Sequence, residues 1–325
     1  MTSVNLSQAS TADDGGFGGA ELSLESLRES FRSDGFVRFH RAISPSVVST
    51  LQSQLEDVLR GQFNRNSPPD KMPKPKPLVR SKKGKRAAVN PGPLGHDGNL
   101  QSSRVLQIIN IHKCDEDFRQ LATSPEIGRM VSELAGWEHG ARLAQDQVWA
   151  KPPNAPPLVF HRDSPYFMFT PSDVVTVWVA LDDMDEELGP LEYVRGSHKW
   201  GDGRVGSSSS FFQSENKKLL YSAAKLEGIE HPETSLEIVS MAGLRAGGIS
   251  IHHGKVWHGS GKNRSKDRPR RGLGLHFVPG EAKFTSDARK SKLWRSYVPD
   301  DASDEDLVSA ELPEVHFPLV WNRPR

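Results

Sequence analysis

The chain has 325 residues, 35% of them hydrophobic and 26% charged, with a formal net charge of +1. That length buries a core easily, and a balance so near neutrality supplies no global field for nucleic acid or a membrane surface. No apolar run approaches the length of a spanning helix, and the single cysteine, Cys114, excludes an intrachain disulfide and points to a reducing, intracellular, cytoplasmic setting.

Residues 1–20 are rich in Ser, Thr and Gly and lack the basic start and apolar core of a signal peptide, so they read as a disordered leader. The rest, 21–325, reads as one domain. Leu24, Leu27 and Phe31 keep helical spacing, Asp34-Gly35 ends that helix, and Phe36 to Phe39 alternates as a short strand. Ser44-Pro45 is a helix start, with Val48, Leu51, Leu55 and Leu59 along one face until Gly61. Residues 62–100 read as an insertion. Its stretch 67–86 carries five prolines and the cations Lys82, Lys83, Lys85 and Arg86. A solvated loop, a nuclear-import patch and a clamp for an anionic substrate all fit that composition. Val105 to Ile111 reads as a strand, and Ser124-Pro125 opens a helix with Ile127, Met130, Val131 and Leu134 inward and Gly136 as its stop.

From about residue 141 the texture changes to short β segments separated by turns, at 141–150, 158–161, 174–182, 191–194, 236–240, 247–252 and 271–278. Many short strands with Gly and Pro between them predict a sandwich or barrel. Val174 to Leu181 is apolar almost throughout, as in a strand buried on both faces. The polar connection 201–235, with a helix near 217–225, is a lid candidate, and Phe317, Val320 and Trp321 are expected to tuck the tail back onto the body.

The residues that carry chemistry begin at Leu158-Val-Phe-His-Arg-Asp-Ser-Pro-Tyr166. Side chains two apart on a strand share a face, so His161 and Asp163 would converge as one nitrogen and one oxygen ligand, two corners of a 2-His-1-carboxylate face for Fe(II). Taken alone, a satisfied polar pair at a strand end explains them as well. About a hundred residues on, His252, His253 and His258 compete for the third corner. Adjacent His252 and His253 point to opposite faces, so at most one could join, and the small residues Gly259-Ser260-Gly261 favour His258. His231-Pro-Glu233 reads as a turn, His198 as a turn cap, His276 as core or support behind the site, Trp149 as core, and Arg268 and Arg271 as solvated. Phe160, Tyr166, Phe167 and Phe169 would line a pocket or fill the core.

Together, Trp149-Ala-Lys-Pro-Pro through Phe160-His-Arg-Asp-Ser-Pro-Tyr-Phe, the run Thr176-Val-Trp-Val-Ala-Leu-Asp-Asp, the segment Gly189 to His198, and His258-Gly-Ser-Gly-Lys-Asn-Arg-Ser resemble the phytanoyl-CoA dioxygenase family over roughly residues 20–280. The resemblance implies a double-stranded β-helix, mainly β with flanking helices (jelly-roll, cupin-like), and a dioxygenase that uses Fe(II), 2-oxoglutarate and O2. It matches His161, Asp163 and His258 to the iron ligands, and Ser260, Trp178 and Gln147 to contacts of the keto acid. Counted back from His276, it places the carboxylate-binding arginine on Arg270; counted forward from His258, Arg270 falls one residue late, as if the loop held an extra residue near Lys266. Strand alternation puts Arg270, Gly272, Gly274 and His276 on one face, where the glycines leave room for a ligand. Gln107 and Arg162 match further contact positions with different residue types, and Arg195 stands where relatives have Pro, altering a turn or pointing into the substrate entrance.

The implied function is hydroxylation of an unactivated C–H bond of a small-molecule or acyl substrate, an acyl-CoA included, with no nucleic-acid or membrane partner. Two rivals are weighed. A halogenase of this lineage needs the carboxylate replaced by a small residue, and Asp163 is present. A non-catalytic metal- or ligand-binding relative has no need of three ligands and Arg270 together.

Overall fold

The computed structural model describes residues 4–6, 9–10, 23–73, 105–202 and 215–323. Most of the leader, the basic residues Lys82, Lys83, Lys85 and Arg86, and 203–214 of the lid candidate lie outside the described residues. In chain order the elements are β1 (Ala9–Ser10), α1 (Leu24–Asp34), β2 (Phe36–Phe39), α2 (Pro45–Leu59), β3 (Leu106–Ile109), α3 (Glu116–Ala122), α4 (Pro125–Ala135), β4 (Ala141–Lys151), β5 (Leu158–His161), β6 (Phe169–Thr170), β7 (Val175–Ala180), β8 (Leu191–Val194), α5 (Lys218–Leu226), α6 (Pro232–Ser235), β9 (Ile238–Ser240), β10 (Ile249–His253), β11 (His258–Ser260), β12 (Arg270–Pro279), β13 (Lys283–Phe284), α7 (Asp304–Ser309) and β14 (Leu319–Trp321).

All the strand pairs are antiparallel. The larger sheet runs β1-β2-β10-β7-β12-β4-β14, with β3 also on β4, and the smaller one runs β5-β11-β8-β9. The two face each other as a jelly roll, mainly β, with helices on the outer face of the large sheet. The helices begin and end where side chains can satisfy the free backbone groups. The Ser23, Ser44 and Ser124 hydroxyls accept the first-turn N–H groups of Ser26, Val47 and Ile127, while Gly35 and Gly136 close α1 and α4 at φ of 87° and 73°. Two pieces of the stretch read as a leader lie against this framework: Val4 bridges Ile43, and β1 pairs with β2.

Alternation on the large sheet separates two environments. Val175, Val177 and Val179 of β7, Ile249 and Ile251 of β10, and Leu273 and Leu275 of β12 turn outward into one core with Leu27, Phe31, Leu51, Leu55 and Val131 of the helices. The alternate residues face the small sheet. Across the strands their rows read His252–Thr176–His276–Gln145, then Ser250–Trp178–Gly274–Gln147, then Ala180–Gly272–Trp149, and last Arg270–Lys151. A register shift after His276, which pairs Phe277 with Leu143, sends Leu143 to the outer core while Gln145 faces inward.

The tail does more than tuck back. Trp294, Phe317 and Phe284 enclose Phe167 and Phe169 in a separate aromatic core, Trp294 donates from its indole N–H to the Tyr166 carbonyl at 2.6 Å, and β14 pairs with β4. This packing braces the loop that follows Asp163. Replacing Trp294, fully buried there, by Ala leaves a large cavity, and a loss of about 3–5 kcal/mol is expected in urea unfolding.

Candidate active site

His161 ends β5, and His258 starts β11 directly opposite it, with the two imidazole centroids 4.3 Å apart. Asp163 reaches the same point by a different route from the strand alternation read in the sequence. The chain leaves the strand, and Asp163 caps a short 3-10 helix (Ser164–Tyr166) in the right-handed helical region, φ −77° and ψ −45°. The Gly254 carbonyl holds that turn by accepting from the N–H groups of Asp163 and Ser164, at 2.8 and 3.0 Å. A Cβ at Gly254 would stand 2.6 Å from Ser164 Oγ and 2.8 Å from Val174 Cβ, so a larger residue would displace the turn.

The ligand atoms of His161, Asp163 and His258 all lie within 4.8 Å of one another. Both imidazoles donate from Nδ1, His161 to the Val159 carbonyl at 2.8 Å and His258 to the Val256 carbonyl at 3.0 Å, which turns each unprotonated Nε2 to the shared point. Burial, foremost, with His258 beside His161 and His252 beside His258, holds both rings down to about 4 against the opposing pull of Asp163. They are therefore neutral at physiological pH, the state a metal needs.

The two oxygens of Asp163 are in different circumstances. Oδ1 faces the histidines, 3.8 Å from His161 Nε2 and 3.7 Å from His258 Nε2. Oδ2 accepts from Thr176 Oγ1 at 2.7 Å and His252 Nε2 at 3.2 Å. Burial alone would raise this carboxyl, but His258, the His252 hydrogen bond and His276 outweigh it and hold it well below the usual carboxylate range. Of the competing histidines, His252 thus supports the carboxylate from behind, its Nδ1 3.1 Å from the Tyr193 hydroxyl, while His253 faces Asp173 on the other side. Two neutral imidazole nitrogens and one anionic carboxylate oxygen make a donor set that would suit a divalent iron.

A cavity of about 580 Å³ opens on these atoms. Arg270 is at its far end, buried and pushed down only to about 10 by desolvation, so it stays charged. Its NH2 donates to Ser260 Oγ at 3.1 Å, its guanidinium lies 5.7 Å from the Trp178 ring, and its Nε has no partner among the described residues. The neighbouring arginines are otherwise engaged: Arg268 with Asp185 and Glu187 at the surface, Arg264 with the Glu186 carbonyl, and Arg271 with Asp182. Arg271, expected to be solvated, is instead held in a partly buried ion pair because Asp182 follows β7 at its level. The expected room at the two glycines is real only at Gly274. A Cβ at Gly272 would fall 2.3 Å from the Trp178 ring, which already fills that space.

Gln147 lines the cavity with its amide largely engaged, accepting from Gln107 at 2.8 Å and donating to His276 Nε2 at 2.7 Å. Trp149, read as core, lines the cavity as well. Arg162 is buried beside Trp257 and donates to the Gly201 carbonyl, outside the cavity lining. Arg195 pairs with Asp34 and Glu237 at the turn. His198 accepts no role in the site; its Nε2 lies 3.1 Å from the Arg32 carbonyl.

Sequence reasoning missed Lys151, buried with its side-chain nitrogen 3.1 Å from Ser260 Oγ and also bound to the Gly261 carbonyl. The alternating row Gln145, Gln147, Trp149, Lys151 on β4 was the signal that could have found it. Thr176 and His252 were missed as supports because only the fold brings them to Asp163.

The model of the family described as phytanoyl-CoA dioxygenase (PhyH) matches residues 31–272, which span His161, Asp163, His258, Ser260 and Arg270. The chain belongs to the phytanoyl-CoA dioxygenase family. Among curated members, a phytanoyl-CoA dioxygenase domain-containing protein 1 homolog of Caenorhabditis elegans is 22% identical over 78% of this chain and 90% of its own length. The peroxisomal phytanoyl-CoA dioxygenase of Mus musculus is 23% identical over 79% and 68%. A Stutzerimonas stutzeri protein named a probable alpha-ketoglutarate-dependent hypophosphite dioxygenase is 26% identical over 57% of this chain, a match that spans 61% of that relative. Among solved structures, the epimerase SnoN in complex with Fe3+, alpha ketoglutarate and nogalamycin RO superposes with a TM-score of 0.63 at 23% identity, covering 91% of this chain and 98% of SnoN. The carbocyclase SnoK gives 0.60 at 21%, covering 95% and 98%. These neighbours establish the jelly-roll fold. As a member of the family, the chain has an iron- and 2-oxoglutarate-dependent, oxygenase-type function, and iron and 2-oxoglutarate are its cofactors. No helix among the described residues is long and apolar enough to cross a membrane.

The two donors on Asp163 Oδ2 generate a prediction. Thr176→Val keeps the shape and deletes one donor, so Fe(II) affinity in an anaerobic titration should fall about 10- to 100-fold while the circular dichroism spectrum stays unchanged.

Proposed function

We propose that this protein hydroxylates an unactivated C–H bond of a small-molecule or acyl substrate, with the iron held by His161, Asp163 and His258. The observation that carries this reading is the convergence of those three ligand atoms at one end of a cavity whose other end holds the buried cation Arg270. When bound, Fe(II), 2-oxoglutarate and O2 supply the oxidative power: one oxygen atom goes into succinate as CO2 leaves, and the other goes into the substrate.

Each protein group has a separate task in this proposal. The two imidazoles and Asp163 Oδ1 would hold the iron from one side, and the cavity beside them would receive the keto acid and O2. Arg270 and Ser260 hold the far carboxylate, since guanidinium offers parallel donors to a planar anion. Trp178 walls the keto acid's chain, and Gln147 has one amide hydrogen left to offer it. The substrate would enter along the side lined by Tyr166, Phe167, Met168 and Leu293, where the Gln145 amide faces the cavity. Lys71 and Lys292 also line it and suit an anionic substrate, an acyl-CoA being one example. The apolar wall excludes water from the reacting carbon and so protects it from side reactions.

Asp163→Ala removes the anionic ligand, and succinate formation from 2-oxoglutarate should collapse to background; undiminished succinate would refute the ligand assignment. Arg270→Met should instead raise the KM for 2-oxoglutarate by about 10- to 100-fold, the loss of a charge-assisted contact, with Fe(II) binding kept. Products scored by mass should gain one oxygen atom. Succinate release with a product of unchanged or hydrogen-depleted mass would retain the oxygenase chemistry and overturn hydroxylation.

A further inference from the structure

Lys151 and Arg270 form a directly paired row at the end of the floor, and each donates to the same hydroxyl, Ser260 Oγ, at 3.1 Å. Both are almost wholly buried, 1% and 2% exposed. Among the described residues neither has a carboxylate within ion-pair distance, and Arg270 Nε has no acceptor. Lys151 has one further acceptor, the Gly261 carbonyl, and two cations held side by side by neutral oxygens alone repel each other and lack the solvation that water would give. An anion seated against Ser260 and Arg270 would also lie within reach of the Lys151 amine, which lines the same cavity.

We propose that Lys151 is a second anchor for the far carboxylate of 2-oxoglutarate, and that its amine is neutral in the empty site and takes up a proton as the keto acid binds. The inference rests on the oxygenase reading above. The covalent chemistry is untouched; one proton moves from solvent to the Lys151 nitrogen, and the new ammonium meets the arriving carboxylate.

The charges around Lys151 agree with this. Burial, foremost, and then Arg270 on β12 hold the amine down to about 6, and Glu192 on β8 pulls weakly the other way. Glu192 is itself raised by burial and lowered by Lys217 at the start of α5. Asp182 acts on Arg270 and is engaged by Arg271. Ser260 and Gly261 on and after β11 bring no titratable group. At neutral pH the empty site therefore has a neutral amine next to a charged guanidinium. A bound carboxylate raises the amine, so the two states differ in protons held.

Well below pH 6 the amine is already protonated, and the pH dependence of binding should level off there. Above about 6 each unit of pH should weaken 2-oxoglutarate by up to tenfold, until the amine's value in the complex is passed. Both carboxylates of the keto acid are ionised throughout that range.

The test is calorimetric titration of the Fe(II)-loaded full chain with 2-oxoglutarate, without oxygen, in buffers of differing ionisation enthalpy from pH 5.5 to 8.5. The expected result is net proton uptake near pH 7.5 that diminishes through pH 6 toward pH 5.5, and no uptake for 2-oxovalerate, which has a methyl group in place of the far carboxylate. Lys151→Met should abolish the uptake, flatten the pH dependence, and weaken 2-oxoglutarate about 10- to 100-fold at pH 6. Zero uptake by the unaltered protein, equal uptake with 2-oxovalerate, or uptake persisting in Lys151→Met would overturn the proposal, and the first two measurements need no variant. Binding and succinate release without proton uptake would leave the oxygenase reading standing and remove only this one. Absence of 2-oxoglutarate binding would remove both.

Discussion

The structure depends on how one carboxylate is divided. Asp163 is buried beneath four imidazoles, and such a group is tolerable only if both of its oxygens find partners. Thr176 and His252 satisfy Oδ2, and the turn held by Gly254 aims Oδ1 at His161 and His258. Without those two donors, the carboxylate could rotate to present either oxygen, or both, to a metal. With them it offers one oxygen in one direction. The support is built from the inward row of the large sheet, so the register of β7, β10 and β12 fixes the ligand geometry as firmly as the loop that bears the ligand does.

That same register spaces the two ends of the cavity. Successive inward rows advance by two residues along each strand, about 6.6 Å. Three steps separate the row behind Asp163 from the row of Arg270 and Lys151. A jelly roll thus sets the His161, Asp163 and His258 end and the Arg270 and Lys151 end at a fixed separation with no flexible connection between them. The outward rows meanwhile are apolar and welded to α1, α2 and α4. A slip of one residue would put the valines of β7 in the cavity and Thr176 and Trp178 in the helix core, so hydrophobic burial enforces the geometry of the site.

Much of this could be read from the sequence, for identifiable reasons. The helix starts at Ser44-Pro45 and Ser124-Pro125 and the stops at Gly35 and Gly136 are local chemistry, and the structure ends those helices there. The β segments from 141 onward are bounded by Gly, Pro and polar turns, so their spans fell close to those observed. What failed was non-local or short. Helix α3 has only seven residues, too few to display a period. The convergence of His161 and Asp163 was expected from strand alternation, yet it comes from a helical turn clamped by Gly254, ninety residues on. Arg271 was read as solvated because its partner Asp182 is distant in sequence. Lys151 escaped because a lysine in a strand is ordinarily an exposed residue, and only the pairing of β4 with β12 puts it beside Arg270.

Gln147, which the resemblance places against the keto acid, has a second role. Its amide belongs to a chain of hydrogen bonds in which each donor points the same way: Lys71 to Gln107, Gln107 to Gln147, Gln147 to His276, His276 to Thr176, and Thr176 to Asp163. The direction is forced. A primary amide nitrogen can only donate, so His276 accepts at Nε2 and carries its proton on Nδ1, and Thr176 must then spend its own hydrogen on the carboxylate. A chain that starts at a cation and ends at an anion polarises every member in the same sense, and each bond strengthens the next. Its mouth end, Lys71, lines the cavity where a substrate would enter. Gln147 is therefore a link that orients His276, and the Asp163 carboxylate is tied through five side chains to the rim of the cavity.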